Sequence, residues 1–101
     1  MIYTLSEIAD ITGAQLLSKE DCSIQFLLID SRNVITTNNT LFFAISGERH
    51  DGHQFIDELY QKGIRSFVVE SAPKNHKNFP NANFLIVNNT LDALQKLAAT
   101  H

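Results

Sequence analysis

Thr40-Leu41-Phe42-Phe43-Ala44-Ile45-Ser46-Gly47-Glu48-Arg49-His50-Asp51-Gly52-His53-Gln54-Phe55-Ile56-Asp57-Glu58-Leu59-Tyr60-Gln61-Lys62-Gly63-Ile64-Arg65-Ser66-Phe67-Val68-Val69 decides the fold. Residues 41–45 form an unbroken apolar run of strand length, so both faces of that strand are buried. The next eight residues are the most polar of the chain. Asp51 then offers a helix cap, with Gln54 three residues on closing a variant of the capping box. Phe55, Ile56, Leu59 and Tyr60 fall on one helical face, and Gly63 supplies a left-handed stop. A second apolar strand follows over 66–70. Strand, helix and strand at this spacing favour parallel pairing.

The same pattern extends both ways. Upstream, Thr4-Leu5-Ser6-Glu7 is a capping box for a short helix over about 5–12, ended by Gly13. A short strand over 14–17 and a polar turn over 18–23 follow. Ile24-Gln25-Phe26-Leu27-Leu28-Ile29 reads as one buried strand, cut off by Asp30-Ser31-Arg32-Asn33. Residues 34–39 form a Thr- and Asn-rich loop. Downstream, 72–83 carries both prolines and reads as a loop, and 84–87 is a fourth strong strand. Asn88-Asn89-Thr90 offers caps for a last helix bearing Leu91, Leu94, Leu97 and Ala98. The expected fold is α/β: a small mixed, mostly parallel sheet flanked by helices. The glycosylation sequons at Asn38 and Asn88 read as turn and cap residues.

The 101 residues predict a single domain, 1–101. The final helix meets no glycine or proline before His101, which reads as a cut inside a longer protein; a native helical end is the alternative. A net charge of −3 does not suit a general nucleic-acid surface. The N-terminus lacks a signal peptide, and no apolar run approaches the roughly 20 residues of a membrane span, so no membrane partner is expected. Cys22 is the only cysteine, which excludes an internal disulfide and fits a reducing cytoplasm.

Chemistry can sit at two polar clusters, Asp30-Ser31-Arg32 and the 47–53 loop, each following a buried strand. Ligands of open α/β sheets gather outside the carboxyl ends of strands. If the two strands are parallel neighbours, both clusters face one crevice. Arg32 and Arg49 can fork onto phosphate oxygens, Ser31 offers a hydroxyl, and Gly47 and Gly52 admit close backbone approach. The amides opening the helix after Asp51 favour an anion, although the charge and capping role of Asp51 argue against phosphate directly there. Blander readings stand beside these. Asp30 serves as a turn residue, Arg32 pairs with Asp30 or a surface Glu, and Phe55 and Tyr60 are core. His50, Asp51 and His53 resemble a metal-ligand arrangement, but no further ligand lies near, so no metal and no catalytic residue are expected. The chain has neither G-x-x-x-x-G-K-[ST] nor G-x-G-x-x-G. Two other classes remain open: a stand-alone α/β interaction module contacting protein through its polar loops, and a small enzyme using His50, Asp51 and His53.

In combination, Asp30-Ser31-Arg32, the run 40–47, Arg49-x-Asp51-Gly52-His53, and Gly63-Ile64-Arg65-x-Phe67-Val68-Val69 resemble the N-terminal domain of the Mur ligases. The closing Val87-x-x-Thr90-x-x-Ala93-Leu94-Gln95-x-Leu97-Ala98 fits as well. Glu58-Leu59-Tyr60 and 83–87 are similar to the branch adding D-alanyl-D-alanine that is fused to an alanine racemase. The sister branch adding diaminopimelate or lysine shares the pattern. The resemblance implies a cytoplasmic ATP-dependent ligase of peptidoglycan and cell-wall biogenesis, and hence of cell shape and division. Its first domain holds the UDP part of UDP-N-acetylmuramoyl-peptide. ATP and Mg2+ belong to a central domain and the incoming amine to a C-terminal one, both outside this chain. Carried onto this sequence, the UDP contacts are Ser31, Arg32, Gly47, Arg49, His50, Asp51, Gly52 and His53.

Overall fold

The computed structural model describes residues 2–18, 20–47 and 51–100. Seven strands and three helices run in the order β1 (Tyr3–Thr4), α1 (Leu5–Thr12), β2 (Gln15–Leu17), β3 (Ser23–Ile24), β4 (Phe26–Leu28), β5 (Thr40–Phe43), α2 (Ile56–Lys62), β6 (Ser66–Val69), β7 (Asn83–Ile86) and α3 (Thr90–Thr100). β4, β5, β6 and β7 pair in parallel, and β2 closes the far edge antiparallel to β7. β1 and β3 form a separate two-stranded ribbon. The expected mixed, mostly parallel sheet between helices is the observed one.

Period-two side-chain alternation explains the layering. Leu41, Phe43, Val68 and Leu85 join Leu5, Ile8, Ala93 and Leu97 on the face covered by α1 and α3. Phe42, Ala44, Phe67, Val69 and Phe84 join Ile56, Leu59 and Phe79 on the other face, under α2 and the 70–82 segment. Because β5 and β6 are buried on both faces, every residue in them is apolar or small. Phe67 stacks on Phe84 with centroids 5.6 Å apart and meets Phe42 edge-on at 6.4 Å. Burying each such ring contributes up to about 3 kcal/mol.

The helix signals at Thr4, Gly13, Gly63 and Asn89 act as read, whereas the Asp51–Gln54 capping box does not open α2: Asp51 accepts from the His53 amide to cap a 3-10 turn, and α2 begins at Ile56 without a side-chain cap. Thr4 accepts from the Glu7 amide at 3.2 Å while Glu7 accepts from the Thr4 amide at 3.0 Å. Gly13 and Gly63 end α1 and α2 at φ 75° and 115°. Asn89 caps α3 by accepting from the Asp92 amide at 2.9 Å. Asn39, from the first sequon, stands in a turn at φ 56°.

Two further expectations fail locally. The run 24–29 is not one buried strand. Ile24 pairs with Tyr3 in the ribbon, the amides of Gln25 and Phe26 both donate to the Asn39 carbonyl, and the chain then joins the main sheet as its edge. With a neighbour on one side only, β4 leaves Phe26 and Ile29 45% and 51% exposed. In α3, Leu97 is buried and Leu94 packs partly buried against the core as expected, joined by Ala93, whereas Leu91 is 48% exposed and Ala98 is exposed as well. The small Ala93 lets the helix lie close to the sheet. No helix among the described residues is long and apolar enough to cross a membrane.

Candidate functional site at the carboxyl edge of the sheet

β4 and β5 are adjacent and parallel, in the register Leu28↔Phe42, so their carboxyl ends emerge side by side. Asp30, Ser31 and Arg32 follow the first; Ser46 and Gly47 follow the second. β6 and β7 deliver Glu70 and Thr90 to the same edge of the sheet.

The 30–33 turn is held by Asp30. Its carbonyl accepts from the Asn33 amide at 3.0 Å. Its carboxylate accepts from the Arg32 amide at 2.9 Å, from Arg32 Nε at 3.0 Å and from Arg32 Nη2 at 2.9 Å. This hydrogen bonding, with the carboxylate charge, pushes the Arg32 pKa above its already high value. The pairing of Arg32 with Asp30 is therefore the arrangement present, and the guanidinium points outward, its side chain 86% exposed. Ser31 differs. It is only 7% exposed, and among the described residues its hydroxyl has no hydrogen-bond partner. No sealed, unpaired side-chain oxygen or nitrogen occurs among those residues, so the Ser31 hydroxyl opens to the surface.

The second turn is organised around Asp51. Ser46 and Asp51 form an isolated antiparallel bridge. One carboxylate oxygen of Asp51 accepts from the His53 amide at 3.0 Å and from Ser46 Oγ at 3.2 Å, and contacts His53 Nδ1 at 2.6 Å. The His53 backbone and ring bonds hold the Asp51 carboxyl below the usual range for an aspartate. Asp51 thus caps a 3-10 turn, Gly52–Phe55, that leads into α2. The Gly52 amide donates to the Ile45 carbonyl at 2.8 Å and the Gln54 amide to the Asp51 carbonyl at 3.3 Å. The amides of 52–54 all have internal acceptors, in contrast to the expectation that they would be offered to an anion. Gly52 is required sterically, since a Cβ there would lie 2.8 Å from the Ile45 nitrogen and 2.9 Å from Ala44 backbone atoms. Gly47 is exposed at the loop entrance. Arg49 and His50, named from the sequence, lie outside the described residues.

Sequence reasoning overlooked Glu70. It follows β6 directly, much as Asp30 follows β4, so the same rule of polar residues at strand ends would have found it. Its amide donates to His53 Nε2 at 2.9 Å, and its carboxylate accepts from the Thr90 amide at 3.0 Å and hydroxyl at 3.2 Å. A cleft of about 390 Å³ lies here, lined by Ser46, Asp51, His53, Glu70, Ser71 and Lys74 among others. A wider cleft of about 880 Å³ opens at the opposite, amino edge, beside Cys22, Thr40, Arg65, Ser66 and Asn83. Volume favours the amino edge. There, however, Asn83 Nδ2 already donates to Ser66 Oγ at 3.2 Å and to the Arg65 carbonyl at 3.3 Å. The carboxyl edge keeps an unclaimed hydroxyl on the mostly buried Ser31 and is the stronger candidate. Among the described residues no group of three His, Cys, Asp or Glu side chains is placed to hold a metal ion.

Comparison with known proteins agrees with this architecture. A family profile described as "Mur ligase family, catalytic domain" matches residues 23–101. The chain is 32% identical over 92 residues to the UDP-N-acetylmuramoyl-tripeptide–D-alanyl-D-alanine ligase of Haemophilus influenzae, covering 91% of this chain and 19% of that protein. It is also 32% identical over 81 residues to the UDP-N-acetylmuramoyl-L-alanyl-D-glutamate–2,6-diaminopimelate ligase of Clostridium tetani, covering 80% of this chain and 16% of that one. A crystal structure of MurF from Acinetobacter baumannii superposes with a TM-score of 0.79 at 24% identity, over 98% of this chain and 21% of that one. The chain thus spans about a fifth of the length of the relatives it matches. With the profile covering most of its length and the layers matching throughout, the chain belongs to the Mur ligase family and carries the fold of its N-terminal domain.

Proposed function

We propose that residues 1–101 are the substrate-holding domain of an ATP-dependent ligase that adds D-alanyl-D-alanine, and that they bind the UDP part of UDP-N-acetylmuramoyl-peptide. The observation that carries this reading is the Ser31 hydroxyl, open to the surface in a residue only 7% exposed, unclaimed by any described residue, and following β4 at the sheet edge where β5 also ends. A nucleotide can take that hydroxyl as donor or acceptor. Arg32, released from Asp30, and Arg49 and His53 contact the diphosphate or help shape its loop, to which His50 also belongs. Gly47, Asp51, Gly52 and His53 shape the loop that carries them.

On this reading the domain binds and orients, and bond making takes place elsewhere in the protein. This chain has no phosphate-loop sequence, and on this reading ATP and Mg2+ are not its ligands. Those would be held by the central domain, and the cytoplasmic setting belongs to the same reading. The diaminopimelate-adding sister is the second reading, supported by a relative of equal identity. The acceptor amine would bind in regions this chain does not include, which is why the two readings share one pattern here.

The test is a UDP titration of the 101-residue chain, following backbone amide shifts. Binding should move residues 30–32 and 46–53, and Ser31→Ala should weaken it about tenfold, the effect of one hydrogen bond. Shifts confined to the amino edge, or a Ser31→Ala chain that binds like the parent, would refute the assignment.

A further inference from the structure

The ring of His53 does more than neighbour the loop it ends. Its side chain is 20% exposed and reaches two places at once. Nε2 lies 2.9 Å from the Glu70 amide nitrogen, which can only donate. Nε2 must therefore present its lone pair, and the proton of a neutral ring resides on Nδ1. Nδ1 lies 2.6 Å from the Asp51 carboxylate, an acceptor. The two partners demand opposite roles, and one tautomer satisfies both. Glu70 is itself tied through its carboxylate to Thr90 at the start of α3. The loop, the end of β6 and the start of α3 thus form one hydrogen-bonded chain that passes through the imidazole.

We infer that His53 is the positioning residue of the turn that begins at Asp51: as the neutral Nδ1–H tautomer it staples Asp51 to Glu70, just after β6, and so sets where Asp51 and Ser46 stand at the rim of the cleft. The inference deepens the UDP reading and, for its effect on ligand, rests on it; His53 acts through the loop and need not touch the nucleotide. The geometry also assigns different consequences to different replacements. A glutamine side chain places an oxygen near the Nε2 position and keeps an acceptor for the Glu70 amide. An asparagine reaches only the Nδ1 position. A phenylalanine retains the ring and neither bond.

The experiment uses the 101-residue chain with His53→Gln, His53→Asn and His53→Phe. Three readouts are taken: the imidazole nitrogen resonances of the parent, hydrogen exchange of the Glu70 amide, and UDP affinity. The parent should show a protonated Nδ1 and a bare Nε2. Asparagine and phenylalanine should each speed Glu70 exchange and weaken UDP about tenfold; glutamine, which keeps the acceptor for Glu70 but not the bond to Asp51, should restore exchange to within about threefold and UDP affinity in part. A protonated Nε2 in the parent overturns the inference, as does a glutamine variant no better than phenylalanine. If the phenylalanine chain fails to fold, the glutamine–asparagine pair and the parent's tautomer still decide. If the parent does not respond to UDP, the nucleotide reading falls alone, and exchange with tautomer still judges His53.

Discussion

The two edges of the parallel sheet are built from the same strands and solve opposite problems. At the amino edge Ser66 and Asn83 saturate one another and the Arg65 carbonyl, beneath a cleft of about 880 Å³. At the carboxyl edge a cleft of about 390 Å³ is lined by Ser46, Asp51 and His53, with the amides of 52–54 and the Asp51 carboxylate paired internally, while Ser31 keeps its hydroxyl unpaired among the described residues. The larger void thus carries the more finished hydrogen bonding. What separates a candidate site from a packing gap here is an unclaimed polar group held in a rigid place.

That contrast can be broken most forcefully at Gly52. Its replacement by alanine drives a Cβ against the Ala44 and Ile45 backbone, which cannot yield as a side-chain tip can. Gly52→Ala should destabilise the chain by about 2 kcal/mol in denaturant unfolding and displace the loop amides. A neutral result would mean that the loop is not seated on the end of β5. At the other edge, Asn83→Ala removes three donated bonds, to Ser66 Oγ, the Arg65 carbonyl and Cys22 Sγ, and one accepted from Ser18 Oγ, and should cost about 1 kcal/mol or more while leaving UDP affinity untouched. Loss of UDP binding in that variant would exchange the roles given to the two edges.

The smallest effect is an acid one, and it involves both edges. Asp51 is held below its ordinary pKa by the His53 amide and ring. Asp21, lining the amino-edge cleft, is held below its own by the Ser6 hydroxyl, 2.8 Å away. A carboxyl whose folded pKa is depressed stabilises the fold fully above its unfolded value, near 3.8 for both. That contribution fades as the pH falls through the lower, folded value. Stability should therefore decline mildly below about pH 4. Asp51→Asn and Asp21→Asn should each flatten part of that decline, to be read from unfolding midpoints across acid pH. Both groups are exposed, so a steep loss from either one would contradict this account.

Much of the architecture was written locally. The capping box at Thr4 and Glu7, the stops at Gly13 and Gly63, and the unbroken apolar runs of β5 and β6 each depend on residues within one or two turns. Their neighbours in sequence are their neighbours in space. The tight turn at Asp30 and Arg32 belongs to the same class, its partners two residues apart. The family likeness was equally legible, because its motifs are contiguous.

Three things were decided only when the chain closed. The run 24–29 has one composition but is divided between a ribbon and a sheet edge, and hydropathy does not record how many neighbours a strand will have. Ser31 became the mostly buried member of its triplet, its hydroxyl unclaimed among the described residues, while Asp30 paired with Arg32. His53 found the Glu70 amide 17 residues away, across the parallel pairing of β5 with β6. Local propensity is a property of neighbouring residues and can be read along a line; a tautomer, an unclaimed hydroxyl and a shared sheet edge are properties of groups that only packing brings together.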